Sequence, residues 1–102
     1  MAAYLGLVKT VTAFVPPQDK ELRSKLKDFL ESYNVYESST STGFSETIIE
    51  YDAEGLALDW EEFKELVDSE FGIDSEYNEG IDDDSERSEG VYYDYENLTL
   101  TF

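Results

Sequence analysis

Between Tyr51 and Glu96 the chain carries 18 Asp and Glu against only Lys64 and Arg87, a local net charge of −16 in a protein of −18. No other feature constrains the fold as much, because an unpaired carboxylate in an apolar interior costs more than a small domain can offset. These side chains must face water, so the core has to be built from the residues spaced among them. The charge is also lopsided: residues 1–30 hold five basic and three acidic groups, whereas 31–102 hold two basic and 22 acidic ones. A folded form therefore has one strongly acidic side, which repels nucleic acid and anionic membrane as direct partners and attracts basic proteins and cations.

Enough apolar surface exists to bury. Hydrophobic residues make up 40% of the 102 and aromatics 15%, which suits one core in one domain over 1–102 rather than a disordered chain. There is no Cys and no His. That removes disulfides, Cys or His zinc sites, thiolate nucleophiles and the imidazole base of a catalytic triad. The segment 1–15 lacks a basic start, carries Lys9 inside its apolar run and leads into Pro16-Pro17, so it reads as a strand and not as a signal peptide or membrane span. A cytoplasmic protein is expected.

Tyr4 to Val15 alternates with apolar or β-branched residues on both sides, the pattern of a central strand ended by the two prolines. Leu22, Leu26, Phe29, Leu30 and Tyr33 recur at helical spacing over about 18–33, with Asn34 as the C-terminal cap residue. Val35–Ser41 and Phe44–Tyr51 read as a hairpin around Gly43, followed by a turn at 52–55. A second helix starts after Asp59, with Glu62 in capping-box spacing, a buried stripe of Trp60, Phe63, Leu66, Val67 and Phe71, and Gly72 at its end. Residues 73–90 offer only Ile73, Tyr77 and Ile81 among many carboxylates, which suggests a short strand and a mobile acidic loop over 74–90. Val91–Phe102 returns to strand composition, bent near Glu96-Asn97, and at least one of Tyr92, Tyr93 and Tyr95 must face outward. The expected fold is α+β: a two-layer sandwich of two helices on an antiparallel sheet of four to five strands, in the ferredoxin-like βαββαβ order.

The chemistry open to such a chain is narrow. An EF-hand frame on residues 75–86 places Gly80, Asp83 and Glu86 acceptably but puts Ser75 and Tyr77 where early carboxylates belong, so no metal site is assigned. Carboxylate pairs of the glycosidase kind are too easily found among 25 acids to be informative, and there is no P-loop or Gly-rich dinucleotide turn. The reading is not an enzyme, and no cofactor is implied. The acidic face can instead be the functional object. Carboxylates two apart on a strand lie roughly 6 to 7 Å from each other, and those at i,i+3 or i,i+4 on a helix about 5 to 6 Å. Both spacings are close to that of successive phosphates, so rows of them can occupy a Lys and Arg groove that normally holds nucleic acid, with interleaved aromatics stacking on Arg.

In size, charge, lack of Cys and acidic-aromatic interleaving over 51–96, the chain resembles the small DNA-mimic inhibitors of bacteriophages, the anti-CRISPR and anti-restriction proteins. The resemblance is one of design and not of motif. It implies an inhibitor that blocks the basic nucleic-acid-binding site of a host defence effector, a nuclease or surveillance complex, inside the bacterial cell. The partner-binding residues expected on this reading are Glu50, Asp52, Glu54, Glu61, Glu62, Glu65, Asp68, Asp74, Glu76, Glu79, Asp82, Asp83, Asp84, Glu86, Tyr93, Asp94, Tyr95 and Glu96. The alternative is an acidic adaptor, or a module that binds divalent cations weakly, without mimicry. A merely solvated acidic surface is the plainest reading, and the non-acidic first 30 residues and the self-repulsion of so dense a charge speak against it.

Overall fold

A computed structural model describes residues 3–84 and 91–102. The element order is β1 (Ala3–Val15), α1 (Lys20–Glu31), β2 (Tyr36–Thr42), β3 (Thr47–Asp52), α2 (Trp60–Phe71), β4 (Glu76–Asp84) and β5 (Val91–Thr101). The strands form one sheet in the order β2-β3-β1-β5-β4, and both helices pack on the same side of it. β1 is central, as its two-sided apolar pattern implied.

The α+β architecture with two helices stands, but the antiparallel ferredoxin-like sheet does not. β1 pairs antiparallel with β3 yet parallel with β5, so the sheet is mixed. The difference traces to residues 76–84. They form strand β4 in place of the loop expected there, and they pair with β5 over nine residues. In the expected plan the strand after α2 lies beside β1; here that strand is displaced to the edge and β5 takes the inner position. Residues 85–90, the remainder of the expected loop, lie outside the described residues. β5 also runs unbroken through Glu96-Asn97, without the expected bend.

An acidic segment can be a strand because an edge strand needs little burial. β4 contributes Tyr77 to the core margin, and its carboxylates require no neighbour on the outer side. Gly80, a weak residue in a strand, is covered by the Tyr95 ring from the paired strand: a Cβ at Gly80 would lie 3.0 Å from the Tyr95 hydroxyl oxygen.

The core lies between sheet and helices. Val11, Ala13 and Val15 of β1, Ile49 and Tyr51 of β3, and Leu98 and Leu100 of β5 meet Leu26 and Leu30 of α1 and Phe63 and Val67 of α2, all buried. Phe29 of α1 and Tyr33 in the turn after it contact Phe71 and Phe63 of α2 at ring distances of 5.4 and 5.7 Å, both edge to face, the geometry that ring quadrupoles favour. Asp19 caps α1, its carboxylate accepting from the Leu22 N–H at 3.1 Å. Asp59 precedes α2 in extended conformation, but its side chain makes no cap bond, so the expected capping box is not formed. Leu66 likewise leaves the expected stripe and is exposed. Gly72 closes α2 at φ 64°, a left-handed conformation that only glycine adopts at no cost.

The sheet is longer than its helical cover. β1, β4 and β5 run on past the start of α2, and the molecule measures 47 × 33 × 20 Å. Here β1 bulges between Tyr4 and Leu7, with Gly6 at φ 99° as the extra residue. The three-stranded extension carries the aromatic and acidic residues of the chain's last third.

Candidate functional site: an acidic extension of the sheet

On the face shared with the helices, register places Tyr4 and Leu7 of β1, Tyr92, Asp94 and Glu96 of β5, and Tyr77, Glu79 and Ile81 of β4. No helix covers this part of the sheet, which is why Tyr4, Leu7 and Ile81 are exposed. Glu79 and Glu96 are directly opposed across β4 and β5, an arrangement that like charges disfavour. The Tyr77 hydroxyl relieves it by lying 3.0 Å from a Glu79 oxygen and 3.1 Å from a Glu96 oxygen. Burial, and then these two carboxylate bonds, push the Tyr77 hydroxyl pKa well up. One proton is thus held between two carboxylates. Tyr4 serves Asp94 similarly, donating at 2.6 Å while its ring leans on Tyr92 at 5.2 Å. That hydrogen bond is the first cause of an upward shift of the Tyr4 pKa.

The start of α2 joins this surface. Trp60 packs on Tyr77 at a ring distance of 5.6 Å, and Trp60, Glu61, Lys64 and Tyr77 line a small hollow of about 280 Å³ at the junction. From there the exposed Glu61, Glu62 and Glu65 continue along the outside of the helix. Lys9 lies over the Trp60 ring at 5.7 Å, the cation–π geometry.

The expected binding residues divide accordingly. Glu61, Glu62, Glu65, Glu79, Asp94 and Glu96 lie on the helix-bearing side. Glu50 of β3, Glu76 of β4 and the ring of Tyr95 fall on the opposite, open face of the sheet, and register places Tyr93 there too. Asp52 ends β3 and Glu54 lies in the turn after it, where the Asp52 carboxylate accepts from the Glu54 N–H at 2.9 Å. Asp82, Asp83 and Asp84 are placed by the β4 backbone alone, and Glu86 lies outside the described residues.

Two of the expected residues are committed within the protein. Asp68 pairs with Lys64 at 2.7 Å and accepts from the Ser75 N–H at 2.8 Å, tying the end of α2 to β4. Burial opposes ionisation of Asp68, but the bonds from Lys64 and Ser75 outweigh it and hold its carboxyl below the usual range. Asp74 also reaches Lys64, at 3.1 Å, and together these bonds raise the Lys64 pKa. The site therefore loses Asp68 as a free charge and gains Tyr4, expected only as part of the first strand, and Tyr77, expected only as one of the few apolar residues of 73–90. The signal that finds them is the period-two alternation of tyrosine with carboxylate at 77 and 79 and again at 92, 94 and 96.

Among the described residues, no group of three Asp or Glu converges to hold a metal ion, and no helix is long and apolar enough to cross a membrane. Comparison of the chain with protein-family models, curated proteins and solved structures finds no match.

Proposed function

We propose that the protein is an acidic nucleic-acid mimic that occupies the basic nucleic-acid-binding site of a host defence effector, of the anti-CRISPR or anti-restriction kind, and blocks it by occlusion. The observation that carries this reading is the continuity of carboxylates on one side: Glu61, Glu62 and Glu65 on α2 lead past Trp60 and Tyr77 to Glu79, Glu96 and Asp94 on the sheet extension. Successive members along a strand are spaced roughly as phosphates are, and the flanking Tyr4, Tyr77 and Tyr92 offer rings to Arg. A partner that neutralises this row gains the same counterion release that drives nucleic-acid binding.

No step in this mechanism is chemical. The sheet supplies rigidity, since carboxylates on paired strands need less ordering on binding than those on a loop. Tyr4 and Tyr77 fix three of the carboxylates in place before the partner arrives.

The test is inhibition of DNA cleavage by purified restriction and CRISPR effector nucleases. Inhibition of at least one, overcome by excess duplex and abolished in the variant Glu61→Gln, Glu65→Gln, Glu79→Gln, Asp94→Asn, Glu96→Gln, is the expected result. If every nuclease is unaffected, or the variant inhibits equally, the reading fails.

A further inference from the structure

The two edges of the sheet are built differently. The nine-residue sequence of β4 includes Glu76, Glu79, Asp82, Asp83 and Asp84, a density of charge that disfavours addition of another strand. β2, at the other edge, reads Tyr-Glu-Ser-Ser-Thr-Ser-Thr, and every one of its seven residues is exposed. Its one charged residue, Glu37, sits 3.7 Å from Arg23 and accepts a hydrogen bond from Thr40. The edge has no proline, and its single charge is paired with Arg23, so little blocks strand addition.

Beside it lies a concentration of positive charge that is unusual for this chain. Four of its seven basic residues are on α1, and three of them, Lys20, Arg23 and Lys27, recur at helical spacing along the side that overhangs β2 and β3. With Ser24 they wall a groove of about 370 Å³ whose floor is Glu37, Ile49 and Tyr51. Among the described residues, Lys20 and Lys27 have no carboxylate within ion-pair distance.

We infer that the β2 edge and the α1 groove form a second docking surface, which takes an extended acidic segment of a partner protein as an added strand. The segment's backbone pairs with the free N–H and C=O groups of β2, and its alternate carboxylates reach up to Lys20, Arg23 and Lys27. Charge selects the occupant. A second copy of this chain, pairing β2 to β2 about a two-fold axis, brings two such cationic rows against each other across the seam, which like-charge repulsion opposes. An acidic strand meets complementary charge at the least acidic part of the molecule. The surface is distinct from the acidic extension, which is built on β1, β5 and β4, so one molecule can hold a basic partner and an acidic segment together.

The test uses the full chain and a fluorescein-labelled ten-residue peptide alternating Glu with Thr, at physiological ionic strength. Fluorescence anisotropy should show binding that weakens about tenfold or more when the peptide's Glu are replaced by Gln, and similarly in the protein variant Lys20→Glu, Arg23→Glu, Lys27→Glu. Lys20 and Lys27 are exposed whereas Arg23 is half-buried beside Glu37, so the variant's circular dichroism spectrum is compared with wild type, and Lys20→Glu, Lys27→Glu, which keeps the Arg23 pair, should weaken binding in the same direction. A peptide N-methylated along its central residues should not bind, because it cannot pair with an edge. Amide chemical-shift changes should gather in 20–27 and 36–42. Absence of binding, equal binding of the Gln peptide, shifts centred on α2 or β5, or a concentration-dependent dimer that shifts the β2 amides without peptide would each overturn the proposal.

Discussion

Replacing Tyr77 by Phe isolates the contact on which the acidic extension depends. The substitution leaves the ring on Trp60 and removes only the hydroxyl shared by Glu79 and Glu96. A hydrogen bond to a charged group contributes about 1.5 to 3 kcal/mol, and a half-buried donor falls at or below the lower end of that range. Without the hydroxyl, the two opposed carboxylates also repel across a Cβ separation of roughly 5 Å, a term of about 1 kcal/mol in a water-like dielectric. The expected loss is about 1 to 2 kcal/mol. With a urea m-value near 1.5 kcal/mol/M for a domain of this size, the unfolding midpoint falls by about 1 M. A double-mutant cycle with Glu96→Gln should show coupling of about 1 kcal/mol, since the amide removes the repulsion that the hydroxyl offsets. If the midpoint of the Phe variant stays within about 0.2 M of wild type, the hydroxyl is not bridging these groups and the extension is not pre-organised as described.

Phe63→Ala should cost about 3 to 5 kcal/mol in chemical denaturation, because the ring is fully buried against Tyr33 and Trp60 where both helices and the sheet meet. Gly72→Ala should cost about 1 kcal/mol by the same measurement, from backbone strain alone, since no atom lies within 4 Å of the added Cβ. Burial pushes the Tyr51 hydroxyl pKa up to about 12 from 10.0. A raised folded pKa stabilises below the unfolded value, so Tyr51 supports the fold fully below about pH 10 and that support is lost as pH rises through 12, a decline of up to about 3 kcal/mol readable by alkaline unfolding and absent in Tyr51→Phe. Added salt should raise the melting temperature by screening the acidic surface, and a fall would contradict the self-repulsion argument.

Local patterns were legible where one residue type admits one conformation. Gly72 stopped α2, the two prolines stopped β1, and the Trp60, Phe63, Val67 stripe turned inward as its spacing required. Composition misled at β4, because nine carboxylate-rich residues look unable to bury anything, whereas an edge strand held by β5 needs to bury almost nothing. Parallel pairing of β5 with β1 was invisible for a related reason: strand neighbours are chosen by tertiary packing, and the choice turned on whether 76–84 formed a strand at all. Among site residues, the Lys64 and Asp68 pair could be read from its i,i+4 spacing. The bond from Tyr4 to Asp94 could not, since it spans 90 residues and depends on the bulge at Gly6.

The central claim, that this acidic surface stands in for nucleic acid, is tested most directly by displacement. A labelled duplex is bound to a basic DNA-binding nuclease, the protein is titrated in, and the anisotropy of the duplex is followed across a range of salt concentrations. Release of the duplex, with a protein affinity whose logarithm falls linearly with log salt, is the expected result. A ternary complex that retains the duplex, with an affinity indifferent to salt, would contradict mimicry.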